Sequence, residues 1–225
     1  MNRWELLDSA DIPSNGGQLR LLRRANEFSI RISGSQGDLM NSRTHGSEDA
    51  LGELACAHCS TAESARILIG GLGMGFTLAA ALDSLPADAM VEVAELVPGV
   101  LQWNREILGA CAGEPLLDDR VQVTVADVAD LINHASGEYD AILLDVDNGP
   151  EGLTHPENDD LYSLQGLESA YHALRQSGVL AVWSATSAPR FTALLKKAGF
   201  RVNEQRVRAH KGKGSRHVIW LASRP

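Results

Sequence analysis

The sequence predicts an α/β fold: a mostly parallel seven-stranded sheet covered on both faces by helices, with a small β-rich module at the N-terminus. Three observations carry that expectation. From residue 66 onward, short apolar runs alternate with segments of helical period, the pattern of a parallel sheet with crossover helices. The first of these runs, Ile67-Leu68-Ile69, enters a turn holding Gly70, Gly71, Gly73 and Gly75, and a segment rich in Ala and Leu follows. That order reads as buried strand, tight turn and helix. Residues 1–40 instead carry short alternating runs separated by turn residues, as an antiparallel sheet does.

Taken in order, Trp4-Glu5-Leu6-Leu7 reads as a strand and Ser14-Asn15-Gly16-Gly17 as a turn. Leu19–Arg23 and Phe28–Ile32 alternate, or nearly so, around Ala25-Asn26-Glu27. A sheet this small is unstable alone, so it is expected to pack on the main domain or on a partner subunit. Residues 1–46 are assigned to this module and 47–225 to the main domain. Residues 47–59 read as a helix with Ser47 as N-cap and Leu51, Leu54 and Ala55 on one face. Strand one is expected over 66–70 with its helix over 75–84, and strand two over 89–95 with a helix from Pro98 to Leu108. Strand three spans 121–125 with a helix over 127–135, and strand four spans 139–145 before a polar loop over 146–160. A helix over 164–175, strand five over 178–184 and a helix over 189–197 lead to two last strands, 200–208 and 216–222, joined as an antiparallel hairpin.

Composition bounds the function classes. The chain has 225 residues, 44% hydrophobic and 22% charged, ordinary for a soluble globular protein and enough for a sizeable core. A formal net charge of −9 argues against a general nucleic-acid or anionic-membrane binder. No apolar run approaches the roughly 18 residues of a membrane span, and Met1-Asn2-Arg3-Trp4-Glu5 does not open a signal peptide. Three cysteines, an odd number, fit a reducing cytoplasm better than a disulfide framework. The expectation is a cytoplasmic protein with a small-molecule substrate.

Ligands of open α/β sheets sit at the carboxyl ends of the strands. Strand one ends in the glycine turn, where Gly71, Gly73 and Gly75 let a ligand approach the backbone and the next helix N-terminus adds a weak positive field. Strand two ends in Glu95, a carboxylate placed to accept hydrogen bonds from a ribose diol. Strand three is followed by Asp127, for which a helix N-cap is an equal reading, and strand four ends in Asp145 of Asp145-Val146-Asp147-Asn148-Gly149-Pro150. The set is a nucleoside-binding frame. NAD fits it poorly, because its fingerprint needs glycines at i, i+2 and i+5; counted from Gly71 or Gly73, the third position is Phe76 or Leu78. Glu95 would also repel the 2′-phosphate of NADP. The tighter Gly71-Leu72-Gly73-Met74-Gly75 is the turn of S-adenosylmethionine (SAM) folds.

The run from Ile67 to about Leu180 resembles the spermidine/spermine synthase family, the polyamine aminopropyltransferases built on the class I SAM-dependent methyltransferase fold, a Rossmann-like architecture. The segments ILIGGLGMGFTL, VEVAELVPGVLQWNRE, and DDRVQVTVADV through YDAILLDVDNGP carry the likeness, and the β-rich N-terminus is similar to that family's N-terminal module. The resemblance implies a homodimer and a donor that is SAM or decarboxylated SAM; no metal is expected. It implies that Glu95 holds the ribose, that Asp127 lies near the adenine amine, and that Asp145, with Asp147, takes the proton of an attacking amine. The chain also departs from the family. Met74 stands where the family has an Asp that binds the cationic end of decarboxylated SAM. DVDNGP replaces an Asp-Ser-Ser-Asp-Pro motif, so Asp147 or Asn148 stands in for its second Asp. The family's Tyr-His/Gln-Glu stretch is absent, and His45-Gly46-Ser47-Glu48 lies near its place. His45, Asn148, Tyr162 and Trp183 are the candidate substrate contacts, although core packing is the default for Trp183 and solvation the equal alternative for the loop residues.

Three functions remain. The leading one is a spermidine-synthase-like transferase that alkylates an amine from a sulfonium donor. The second is a SAM-dependent methyltransferase on a small, anionic substrate. The third is a non-catalytic nucleoside-binding protein, against which Asp145 argues, since a dead site has no physical need of it. Two side signals remain. Cys56-Ala57-His58-Cys59 lacks a second ligand pair in range, so helix packing rather than metal is expected. The basic stretch His210–His217 follows a strand parallel to strand one and so is expected on the ligand-bearing rim, where it either binds an anion or forms a solvated turn.

Overall fold

The computed structural model describes residues 3–14, 16–35, 37–146, 150, 158–210 and 213–225. It contains two sheets. The first is antiparallel, in the order β1 (Glu5–Asp11), β2 (Gln18–Arg24), β3 (Glu27–Ile32) and β4 (Met40–Asn41). The second has seven strands in the order β10-β11-β9-β8-β5-β6-β7: β5 is Arg66–Gly70, β6 Met90–Glu95, β7 Val121–Val125, β8 Tyr139–Leu144, β9 Leu174–Ser184, β10 Arg201–His210 and β11 Lys213–Ser223. In that sheet β11 runs against both of its neighbours and the other pairings are parallel. The predicted α/β class and the last antiparallel hairpin are therefore observed.

Register explains how the strand ends converge. Gly70 lies level with Ala94 on one side and Leu144 on the other, and Glu95 lies level with Val125. The ladder then runs one residue further: the amides of Gly71, Ala126 and Asp145 donate to the carbonyls of Ala94, Glu95 and Gly70 at 2.8, 3.2 and 3.0 Å. Four chain segments thus leave the sheet at one height. The chain order reverses between β5 and β8, so the crevice where open sheets bind ligands falls between Gly71 and Asp145.

The helices divide between the two faces. One core joins the sheet to α1 (Gly46–Cys56), α2 (Phe76–Ser84) and α3 (Pro98–Trp103), and takes in Leu19, Leu21 and Ile30 of the N-terminal sheet. The other buries α4 (Val128–His134), α6 (Leu164–Ala173) and α7 (Pro189–Lys197) on the opposite face; the short α5 is Asn158–Leu161. The small sheet is also pinned by polar contact, as the Trp103 indole N–H donates to Asp8 at 2.7 Å, and its Ala10 packs where a side chain on Gly99 would collide.

Some expected elements differ. Ser47 is not the N-cap of α1. His45 holds that position without a side-chain cap bond, and Ser47 is buried in the first turn with its hydroxyl donating to the Glu48 carboxylate at 2.5 Å. The helix expected over 98–108 is α-helical only to Trp103, and residues Asn104–Leu108 widen to a π turn. There Asn104 turns inward and donates to the carbonyls of Gly73 and Val100 at 2.8 and 3.0 Å, tying the helix to the glycine turn. Single π turns inside α-helices are frequent at functional sites. β4 was not expected; two residues carry no period to read.

Candidate functional site

Two cavities open at the rim and share Leu39, Met40, Gly73 and Asp145. The first, of about 400 Å³, lies between the strand ends and the underside of the N-terminal sheet. Ile12, Leu19 and Ile30 give it an apolar wall, while Gly71, Glu95 and Asp127 supply its polar floor. The second, of about 370 Å³, is bounded by α1, α2 and the ends of β9, β10 and β11. Its working groups are Glu48, Met74, Thr77, Asp145, Trp183 and His217.

Gly71 makes the junction possible. Its φ is +90°, and a Cβ there would stand 2.5 Å from the Asp145 carbonyl oxygen, so only glycine lets the two strand ends touch. Gly73 and Gly75 complete the turn, with Gly75 at the start of α2 and Gly73 under the Met40 thioether.

Glu95 is 6% exposed, and its carboxylate accepts from the backbone amides of Leu72 at 2.9 Å and Val97 at 2.8 Å, one on each oxygen. Burial pushes its pKa up, and the surrounding amides, Val97 first, oppose this. The carboxylate lines the first cavity, where it is the kind of acceptor that a ribose diol needs. Asp127 caps α4 by accepting from Ala129 at 2.8 Å, and it also lines the first cavity.

Asp145 stands where the cavities meet. Its Oδ2 accepts from the Thr77 hydroxyl at 2.6 Å, and burial raises its pKa against that bond. Glu48, on the first turn of α1, lines the same cavity wall. Burial and then the neighbouring Asp145 charge push its pKa up to about 7. Opposite them, the rings of Trp183 and His217 stack with centroids 4.9 Å apart, and burial holds the His217 pKa below its ordinary value. Ala209, Gly214 and Ser215 of the β10–β11 hairpin also line this cavity, so the hairpin does reach the ligand-bearing rim.

The remaining candidates fall elsewhere. His45 stacks on Phe76 at 3.9 Å and pairs with Asp49 at 2.8 Å; it is not among the described residues lining either cavity. Tyr162 is buried, with its hydroxyl 3.5 Å from the Val146 carbonyl and its ring edge-on to Phe191, and it too is not among those lining residues. Asp147 and Asn148 lie outside the described residues. Trp183 lines the second cavity. Sequence reasoning passed over Glu48 and His217 as individual site residues. Glu48 has a signal in its place at the end of His45-Gly46-Ser47-Glu48, of which only His45 is named as a substrate contact. His217 sat within the basic stretch and was read only as part of it.

Cys56 and Cys59 are buried, and burial raises both thiols, Cys59 to about 11. His58 is exposed. Among the described residues no helix is long and apolar enough to cross a membrane.

A family model of the spermine/spermidine synthase domain matches residues 53–192. A search among curated proteins found no match. Among solved structures, the spermidine synthase of Thermotoga maritima superposes with a TM-score of 0.73 at 15% identity, covering 98% of this chain and 72% of that one. A spermidine synthase in complex with the transition-state analogue AdoDATO gives 0.72 at 16% identity, with the same coverage. A probable spermidine synthase from Corynebacterium glutamicum gives 0.67 at 15%, covering 97% of this chain and 80% of that one. At such identities the likeness is one of fold, the methyltransferase-like α/β fold with an N-terminal antiparallel sheet.

Proposed function

The chain belongs to the spermine/spermidine synthase domain family, and we propose that it is a transferase moving an alkyl group, an aminopropyl group in the leading reading, from a SAM-type sulfonium to an amine. The observation that carries this is the meeting of two cavities at a single carboxylate. The first cavity suits a nucleoside: an apolar slot for the base, Glu95 for the ribose and Asp127 at the edge. The second suits the amine. Asp145 lines both, so it stands beside the point where the two reactants must touch.

The roles follow from the chemistry. Asp145 takes a proton from the amine or orients it, and burial, which raises its pKa, favours the proton-bound form once the proton is taken. Thr77 fixes the carboxylate through one oxygen and leaves the other for the substrate. The glycine turn and Glu95 hold the donor so that the carbon next to sulfur faces the second cavity, and the gain in rate comes chiefly from this positioning. The sulfur compound leaves neutral.

A methyl-transfer reading has one specific observation in its favour. Met74, 3% exposed and lining the second cavity, is neutral where the family resemblance leads one to expect an acid, and a neutral side chain tolerates the carboxylate of intact SAM. Calorimetric titration with decarboxylated SAM, SAM, methylthioadenosine and NAD in parallel tests the donor assignment. The sulfonium compounds and methylthioadenosine should bind and NAD should not. A folded protein that binds none of the first three would overturn it.

A further inference from the structure

The acceptor cavity holds a second carboxyl group for which the transfer reading so far has no use. Its position is built into the fold. α1 and α2 approach so closely that a Cβ on Gly52 would stand 2.6 Å from the Thr77 carbonyl oxygen and 2.8 Å from the Ala81 amide. One turn before Gly52, this contact sets Glu48 against the start of α2: the Thr77 hydroxyl lies 3.4 Å from the Glu48 carbonyl while donating to Asp145 at 2.6 Å. Glu48, Thr77 and Asp145 all line the same cavity. The other charged groups nearby do not neutralise them. Asp49, on α1, is paired with His45; Asp38, which also lines the cavity, is engaged with Arg31 at 2.7 Å; and burial holds the pKa of His217, another lining residue, below its ordinary value. No arginine or lysine among the described residues lines the cavity.

Two carboxyl groups that line one cavity and feel each other's charge, with no cation among its lining residues, do not both ionise readily, and one proton shared between them relieves the repulsion. We propose that Glu48 and Asp145 act as one carboxyl pair, which holds a shared proton when the cavity is empty and exchanges it for the ammonium head of the acceptor amine, making Glu48 a second proton-handling residue of the transfer. This rests on the transferase reading above. The steps balance. Binding of R–NH3+ releases the shared proton to solvent and leaves the pair doubly ionised against the ammonium. The pair then takes one proton from nitrogen. The freed lone pair forms the N–C bond, the C–S bond breaks with its electrons staying on sulfur, and the sulfonium becomes a neutral thioether. The product leaves as a secondary ammonium, and the pair again holds one proton. Buried Glu48 also supports the direction of these steps, since a pKa of about 7 lets it lose its proton to solvent when a cation binds at neutral pH.

Carboxyl-carbon NMR of protein labelled at Glu Cδ and Asp Cγ tests this without turnover. In the wild type, the Glu48 resonance should titrate near pH 7. Asp145→Asn should move that midpoint down towards the ordinary 4.5 of a glutamate, and saturating n-butylammonium should also lower it. Should Asp145→Asn fail to fold, Glu48→Gln read at the Asp145 resonance serves equally, and a downward move of its midpoint is expected. A Glu48 midpoint already in the ordinary carboxylate range, or one that ignores both the partner's substitution and the ammonium, overturns the pair. The transferase reading fails separately: an intact coupled titration in a protein that binds no methylthioadenosine would contradict the donor site and leave the pair standing.

Discussion

Replacing Glu48 by glutamine should make the protein more stable at alkaline pH while impairing it as a catalyst. A glutamate in an unfolded chain titrates at about 4.5, and burial beside Asp145 raises Glu48 to about 7 in the folded state. Below pH 4.5 both states hold the proton and Glu48 contributes its full stability. As pH rises to 7 the unfolded chain ionises freely while the folded chain does so against desolvation and repulsion, so stability is lost across that window. The difference corresponds to on the order of 3 kcal/mol at most, and to about 2 kcal/mol once water reaching the open cavity wall is allowed for. Glutamine keeps the shape and can accept the Ser47 hydrogen bond, but it has no charge to bury. Thermal unfolding followed by circular dichroism at pH 4 and pH 8 reads the effect. The Tm values should agree within error at pH 4, and at pH 8 the variant should unfold higher by roughly 4–8 °C, given about 2–4 °C per kcal/mol for a chain of this size. An equal difference at both pH values, or a variant less stable at pH 8, would refute the reasoning.

Other expected outcomes follow from single contacts. Asp145→Asn should lower turnover by about 10²–10⁴-fold, the usual weight of a positioned base, with methylthioadenosine affinity by calorimetry nearly unchanged; retained turnover would mean the wrong base has been chosen. Gly71→Ala combines a positive φ with a backbone collision at Asp145, so a loss of about 2–5 kcal/mol is expected in urea unfolding. Glu95→Gln places an amide N–H₂ against one of two backbone donors; it should forfeit about 1.5–3 kcal/mol of charged hydrogen bonding and weaken methylthioadenosine at least about tenfold by calorimetry.

Much of this site was legible because strand-end chemistry is local. A strand, its exit residue and the next helix are contiguous, so the glycine turn, Glu95, Asp127 and Asp145 could be named from sequence, and parallel register then brought them to one rim. The second cavity was less legible because its walls come from distant segments. Glu48 meets Asp145 across 97 positions of chain only through the close α1–α2 contact at Gly52 and Thr77. His217 reaches the cavity because the β11 register places it beyond Val218, level with the end of β9. His45 looked like a binding residue by its position near a family motif, but its stacking on Phe76 engages the ring within the helix pair. The π turn at Asn104 leaves no trace in the helical period, and the contact made there, the Asn104 amide on the Gly73 carbonyl, joins segments far apart in the chain.

The central claim is that one carboxylate governs transfer between the two cavities, and the nucleoside product tests it most directly. Protein incubated with decarboxylated SAM and an amine panel, beside an Asp145→Asn control, should release methylthioadenosine in step with an alkylated amine, and the control should release almost none. S-adenosylhomocysteine from intact SAM, with no reaction of the decarboxylated donor, would replace aminopropyl by methyl transfer. Methylthioadenosine formed equally by the control would contradict the role given to Asp145.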